Sequence, residues 1–209
     1  MRNNIRNLIF DWGNVLIDVT MTDFKEACQE AGIKFTDEEV NSTHKAGFFL
    51  DFELGKITEK DFRNEIRKRS VSPLKDNEID LIWNRMLGSI PEKKLNFLFK
   101  IKNQYKLYLL SNTNSIHWNT FSKTSFKYKD YNLLDSFSGF YLSYQQQCAK
   151  PDPVIFEKAI RESKIDINET LFIDDSKKNC ETAQALGMKV LNYLPTDDLE
   201  SRIMEEIEK

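Results

Sequence analysis

Cysteine is scarce in this chain. Cys28, Cys148 and Cys180 are odd in number and lack Cys-x-x-Cys spacing, which argues against a disulfide framework or a thiolate zinc site. Three reduced, buried thiols are expected. Histidine is scarcer still: His44 and His117 lie in unrelated segments with no serine nucleophile elbow, and their spacing does not suit a metal. No stretch of 18 apolar residues reads as a membrane span. The apolar run after Met1-Arg2-Asn3-Asn4 is too brief for a signal-peptide core, so a cytoplasmic location and no membrane partner are expected. Charge of one sign is missing too. Thirty basic and 33 acidic residues leave a net charge of −3, so no basic surplus invites nucleic acid, and small anions held by local charge are the expected partners. There is no internal repeat and no low-complexity linker.

What is present fits one domain of 209 residues with an inserted subdomain. Leu8-Ile9-Phe10 reads as a short buried strand. From about Thr20 to Gly88 the patterning turns helical. Phe24, Ala27, Cys28 and Ala31 recur at helical spacing, and Thr36 with Glu39 makes a capping box. Thr58 opens a helix bearing Phe62 and Ile66, and Ile79, Ile82, Trp83, Met86 and Leu87 form another stripe. Phe48, Phe49 and Phe52 are expected as core of this segment before a ligand box. After Pro91 strands and helices alternate. A helix carries Leu95, Leu98 and Phe99, and strands are expected at Tyr105–Leu110, Gly139–Ser143, Leu171–Ile173 and Lys189–Tyr193. Further helices follow Pro153, carry Cys180, Ala183 and Leu186 up to Gly187, and close the chain with Leu199, Ile203 and Ile207. Such alternation predicts an α/β fold, a doubly wound parallel sheet. Lys123 to Lys129 reads as a solvated basic patch.

Four segments put polar chemistry where strands end, the place at which open α/β sheets bind ligands. In Phe10-Asp11-Trp12-Gly13-Asn14-Val15, a carboxylate suited to nucleophilic attack precedes a glycine turn, although Asp also serves as an ordinary turn former there. Leu109-Leu110-Ser111-Asn112-Thr113-Asn114 offers the Ser111 hydroxyl and the Asn112 N–H groups to phosphate oxygens. In Ala149-Lys150-Pro151-Asp152-Pro153 a lysine precedes stiff backbone, and a fixed ammonium relieves crowding of anionic oxygens. Leu171-Phe172-Ile173-Asp174-Asp175-Ser176 ends in paired acids, which repel each other unless a hard cation intervenes or one of them caps the next helix.

In this order the four segments resemble the haloacid dehalogenase (HAD) superfamily of phosphohydrolases, over nearly the whole chain. They are most similar to the subgroup with a small helical cap, which includes sugar-1-phosphate phosphatases and the N-terminal phosphatase domain of soluble epoxide hydrolases. Tyr141-Leu142-Ser143 leading to Lys150-Pro151, and Asp174-Asp175 followed by Asn179, carry the likeness further.

The resemblance implies a Rossmann-like core over residues 1–17 and 89–209, with a helical cap over 18–88. It implies a Mg2+-dependent hydrolase of a small phosphorylated metabolite, such as a sugar phosphate, working through an aspartyl-phosphate on Asp11. Lys150 would act in catalysis and substrate binding, with Ser111 and Asn112 on the phosphoryl oxygens. Mg2+ would take Asp11, Asp175 and the carbonyl of Gly13, while Asp174 orients a metal-bound water. Substrate choice would lie in the cap, with candidates around Gly47 to Glu53, Phe48 and Phe49 among them. Gly13 departs from the family: many members carry there an aspartate acting as general acid, a contribution worth roughly 10²–10⁴-fold in rate. Two other readings therefore stay open, a hydrolytic dehalogenase and a noncatalytic HAD-like binding protein. Oligomeric state is not readable from the sequence.

Overall fold

The computed structural model describes residues 4–36, 39 and 46–208. His44 lies outside the described residues. Five strands form one parallel sheet: β1 (Asn7–Phe10), β2 (Lys106–Ser111), β5 (Phe137–Leu142), β6 (Thr170–Asp174) and β7 (Lys189–Asn192), in the order β5-β2-β1-β6-β7. The doubly wound parallel sheet expected from the sequence is the one observed. Register aligns Ile9 with Tyr108 on one side and with Phe172 on the other. Side chains alternate between faces along each strand. Leu8, Phe10, Leu107, Leu109, Leu171 and Ile173 accordingly enter one apolar cluster, while Ile9, Tyr108, Leu110 and Phe172 enter a second. Helices cover both faces, so the strands are apolar throughout instead of alternating with polar residues. Helices α5 (Glu92–Ile101) and α10 (Leu199–Glu208) contribute Leu95, Leu98 and Ile203 to the first cluster. Helix α8 (Pro153–Ser163) brings Ile155 and Phe156 to the second, and α9 (Lys177–Ala185) brings Ala183.

Between β1 and α5 lie α1 (Met21–Glu30), α2 (Gly47–Glu53), α3 (Glu59–Arg67) and α4 (Asp76–Asn84). They enclose a third cluster centred on Phe24, Phe49, Phe52, Phe62 and Trp83. Phe49 and Phe52 are thus interior packing residues, as expected. The outgoing and returning chains run side by side: Thr20 N–H donates to Met86 O at 2.7 Å, and Gly88 N–H to Asp18 O at 2.9 Å. Met86 and Leu87 join Ile79, Ile82 and Trp83 in the third cluster, as the stripe implies, but from beyond the helix. The helix stops at Asn84, and Leu87 bridges to Val19.

Several bounds differ from expectation. Ser111 belongs to β2 itself, and Ser143 opens a short helix, α7 (Ser143–Gln146), after β5. Helix α6 (Ser115–Ser125) has little apolar periodicity and is missing from the sequence reading; Asn114 caps it by accepting from His117 N–H. A small hairpin, β3 (Lys127–Tyr128) with β4 (Tyr131–Asn132), occupies part of the basic stretch. All three cysteines are buried free thiols. Among the described residues no helix is long and apolar enough to cross a membrane.

Candidate active site

Parallel neighbours end on the same edge of the sheet, so β1, β2 and β6 deliver Asp11, Ser111 and Asp174 to one crevice. It lies where strand order reverses direction about β1. Asp11 N–H donates to Ile173 O at 2.9 Å, which extends the ladder one residue beyond Phe10. The chain then curls tightly, with Leu16 and Ile17 N–H groups both donating to Trp12 O. Asn14 sits in the left-handed region at φ 57° and donates from Nδ2 to Asp175 Oδ2 at 3.1 Å. This ties the first acidic loop to the last.

Lys150 is the hub. Its Nζ lies 2.8 Å from Asp11 Oδ1 and 2.6 Å from Asp174 Oδ2, and it donates to Leu110 O at 2.8 Å. Asn112 clamps the Lys150 backbone from both sides: Oδ1 accepts from Lys150 N–H and Nδ2 donates to Lys150 O, each at 2.8 Å. The side-chain amide of Asn112 therefore positions the lysine, where the sequence suggested phosphate contact alone. Ser143 does similar service, with Oγ accepting from Thr113 N–H and donating to Thr113 O, both at 2.9 Å. Asp174 is fully buried; its oxygens accept from Lys150, Ser176 N–H and Asn179 Nδ2. Asp11 Oδ1 also accepts from Trp12 N–H at 2.6 Å, whereas Oδ2 has no donor among the described residues.

Electrostatics follow from this crowding. Burial pushes the Asp11 carboxyl up; Lys150 pulls it down, Asp174 and Asp175 push it up again, and it titrates at about 7. Asp175 is also raised, first by burial and then by Asp174, against the Asn14 hydrogen bond. Burial alone would lower Lys150, but Asp11 and Asp174 outweigh it and hold its ammonium above the ordinary lysine range. Three carboxylates with one positive neighbour form an oxygen-rich, electron-dense corner. Ligand atoms of Asp11, Asp174 and Asp175 lie within 4.8 Å of one another, and hard oxygen donors of this kind suit Mg2+.

The helical segment closes over this corner. Trp83 Nε1 donates to Asn114 Oδ1 at 3.3 Å and stacks on His117, and Ser115 Oγ donates to Glu59 Oε1 at 2.7 Å. Gly55, at φ 62°, passes so near the main chain of Tyr144 that a Cβ would stand 2.2 Å from its carbonyl oxygen. Beneath lies a cavity of about 170 Å3 lined by Asp11, Gly13, Ser111, Asp175 and, from the helical segment, Glu53. It shares Asn14, Asn112 and Asp175 with an outer cavity of about 960 Å3 that Lys150 and Lys56 also line. Trp12 walls the inner cavity and meets Trp118 edge to face.

Asp11, Gly13, Ser111, Asn112, Lys150, Asp174 and Asp175 are thus all brought to one place. Asn14 joins the site although the sequence shows it only as part of a turn. Glu53, at the end of the Gly47–Glu53 stretch expected to bear on substrate choice, is four residues after Phe49 and shares its buried helix face.

A family model for haloacid dehalogenase-like hydrolases matches residues 5–187. A D-ribitol-5-phosphate phosphatase from Bacteroides thetaiotaomicron is 30% identical over 185 residues, 88% of this chain and 90% of that protein. An HAD family enzyme from the same species, solved with magnesium and inorganic phosphate, superposes with a TM-score of 0.85 at 38% identity, over 93% of this chain and 96% of the other. A predicted HAD-like family hydrolase from Porphyromonas gingivalis superposes with a TM-score of 0.87 at 28% identity, covering 99% of both chains.

Proposed function

The chain belongs to the haloacid dehalogenase-like hydrolases, and we propose that it is a Mg2+-dependent phosphomonoester hydrolase of a short polyol or sugar phosphate. The observation that carries this reading is Asp11 held 2.8 Å from the Lys150 ammonium, with the Asp175 carboxylate in the same acidic corner. Ribitol phosphate is the substrate named for a relative that spans nine-tenths of its length.

Asp11 attacks phosphorus in line as the bond to the leaving oxygen breaks, giving an aspartyl-phosphate and an alkoxide that takes its proton from water. Water then cleaves this at phosphorus, returning Asp11 and releasing phosphate. Lys150 stays protonated throughout and offsets the negative charge that gathers between Asp11 and the phosphoryl oxygens. The Ser111 hydroxyl and the Asn112 backbone N–H bind those oxygens. Asp174 and the Leu110 carbonyl hold the ammonium while Asn112 holds the Lys150 main chain, so the charge needs no reorganisation during the reaction. Asp11, Asp175 and the Gly13 carbonyl would hold Mg2+, which when bound keeps Asp11 ionised and draws charge from the phosphoryl group. Gly13 supplies no proton to the leaving oxygen.

Phosphate release from polyol phosphates, sugar phosphates, nucleotides and acyl phosphates, with and without chelator, tests the reading. Chelator-sensitive release from small polyol or sugar phosphates is expected, and Asp11→Asn should lose it while circular dichroism is unchanged. Phosphate release that survives chelation would remove the Mg2+ requirement, and chelator-resistant halide release from a 2-haloacid in place of phosphate release would move the chain to dehalogenation. Turnover in Asp11→Asn would remove the nucleophile assignment.

A further inference from the structure

Asp175 is the least tied of the three carboxylates in the acidic corner. Asp11 accepts from Lys150 and from Trp12 N–H, and Asp174 from Lys150, Ser176 N–H and Asn179. Among the described residues, the one donor from another residue that reaches the Asp175 carboxylate is Asn14, from Nδ2 to Oδ2 at 3.1 Å. The main chain beneath is fixed independently, since Asn192 Nδ2 donates to the carbonyls of Asp174 and Asp175, at 3.2 and 3.0 Å. What remains is rotation of the Asp175 side chain, and the Asn14 amide fixes it.

Position 14 makes two demands on its residue. At φ 57° the backbone is left-handed, a region that Gly, Asn and Asp enter most readily. Gly has no side-chain donor, and Asp would set a second negative charge against Asp175. Of the three, Asn alone suits the backbone and also donates. Its main chain is anchored as well: the Asn14 N–H, which shares a peptide plane with the Gly13 carbonyl, donates to Ile17 O at 2.7 Å. One residue thus fixes both an Asp175 oxygen and the peptide that carries the Gly13 carbonyl.

An N–H held on Oδ2 leaves Oδ1 as the oxygen open to a cation, so Asp175 offers one ligand atom where an untied carboxylate could offer two. Mg2+ demands a near-octahedral shell that single carboxylate oxygens fill, whereas Ca2+ accepts about six to eight oxygens and often takes both from one carboxylate. We propose that Asn14 is a positioning residue that tunes the metal site toward Mg2+ and against Ca2+, by holding Asp175 to one-oxygen coordination. This rests on the Mg2+-dependent reading above and assigns part of its metal choice to a side chain that need not touch the metal.

The test titrates Mg2+ and Ca2+ separately, by calorimetry and without substrate, into wild type and Asn14→Gly freed of metal by chelator and dialysis. Glycine suits the left-handed backbone, so circular dichroism and Tm should stay near those of wild type. Partners that orient a metal ligand are typically worth about 10–100-fold in affinity, so the Mg2+ Kd should rise about tenfold or more. The Ca2+ Kd should rise by a smaller factor, because the released carboxylate can give Ca2+ both oxygens. Asn14→Asp also suits the backbone but puts an oxygen in place of the donor, and its preference should shift toward Ca2+ further still. An unchanged Mg2+ Kd in Asn14→Gly, or one common factor on both cations as a merely structural role predicts, would overturn the proposal. If Asn14→Gly does not fold, Asn14→Asp carries the test, and an unshifted ratio of the two Kd values overturns it. Wild type that binds neither cation would fail the Mg2+ reading and the proposal together, whereas parallel losses in the variants fail the proposal alone.

Discussion

Lys150→Met should destabilise the metal-free protein strongly, and more so at alkaline pH. The lysine side chain is 1% exposed and lies between Asp11 and Asp174, whose side chains are 12% and 0% exposed. Methionine fills similar volume but leaves two buried carboxyls without their cation and Leu110 O without its donor. Breaking a buried pair by removing one partner costs about 3–5 kcal/mol. For a chain of this size, each kcal/mol shifts Tm by about 2–4 °C, so a loss of roughly 6–20 °C is expected. The pH sign follows from Asp11. Its carboxyl already titrates at about 7 in the folded wild type, well above an unfolded Asp, because burial outweighs the pull of Lys150. Without Lys150 the folded pKa moves higher still. Below pH 7 both proteins hold Asp11 largely protonated, and the difference between them is smaller. Above pH 7 wild type ionises while the variant must keep the proton or bury an unpaired charge, so the gap widens as pH rises. Differential scanning calorimetry at pH 6 and pH 8.5 in chelator measures both. A variant within about 2 °C of wild type at both values would refute the view that this lysine neutralises the acidic corner.

Three other outcomes follow from the same geometry. Asp175→Ala should weaken Mg2+ binding in titration calorimetry more than Asp174→Ala does, while Asp174→Ala, which strips partners from Lys150, Ser176 and Asn179, should lower Tm more; the reverse pattern would exchange the two roles. Because Asp11 titrates at about 7, protons compete with Mg2+ below that pH, so the apparent Mg2+ Kd should be about tenfold tighter at pH 8 than at pH 6, with proton release seen as a buffer-dependent heat; a Kd constant over that range would contradict the raised carboxyl. With glycine at position 13, kcat/KM across a series of phosphate esters should fall steeply as leaving-group pKa rises, and a flat series with chemistry rate-limiting would mean that another residue supplies the proton.

Local patterning was enough for the strands, because a strand buried on both faces needs an unbroken apolar run such as Leu8-Ile9-Phe10 or Leu171-Phe172-Ile173, whatever its neighbours are. The polar groups ending those runs are equally plain: Asp11, Ser111, Asp174 and Asp175 owe their place to chain position at a strand end, a one-dimensional property, whereas Lys150 lies beyond the short helix α7 that follows β5 and reaches the site only through the fold. Helix α6 was not plain, since its apolar residues do not keep a helical period and its start is set by the Asn114 cap and by packing of Ile116 into the third cluster.

Long-range geometry settled the rest. That Asn112 positions Lys150, that Asp174 is a partner of the ammonium, and that Asn14 reaches Asp175 all depend on contacts between residues 24 to 161 positions apart. No local propensity encodes such a pairing. Nor does it encode which acid lands in the cavity: Glu53 is one of 33 acidic residues, and the closing of α2 against Tyr144 brings it to the cavity that Asp11 lines. The raised titration of Asp11 has the same origin, because its burial and the neighbouring charges of Lys150, Asp174 and Asp175 come from segments far apart in sequence and exist only once the chain has folded.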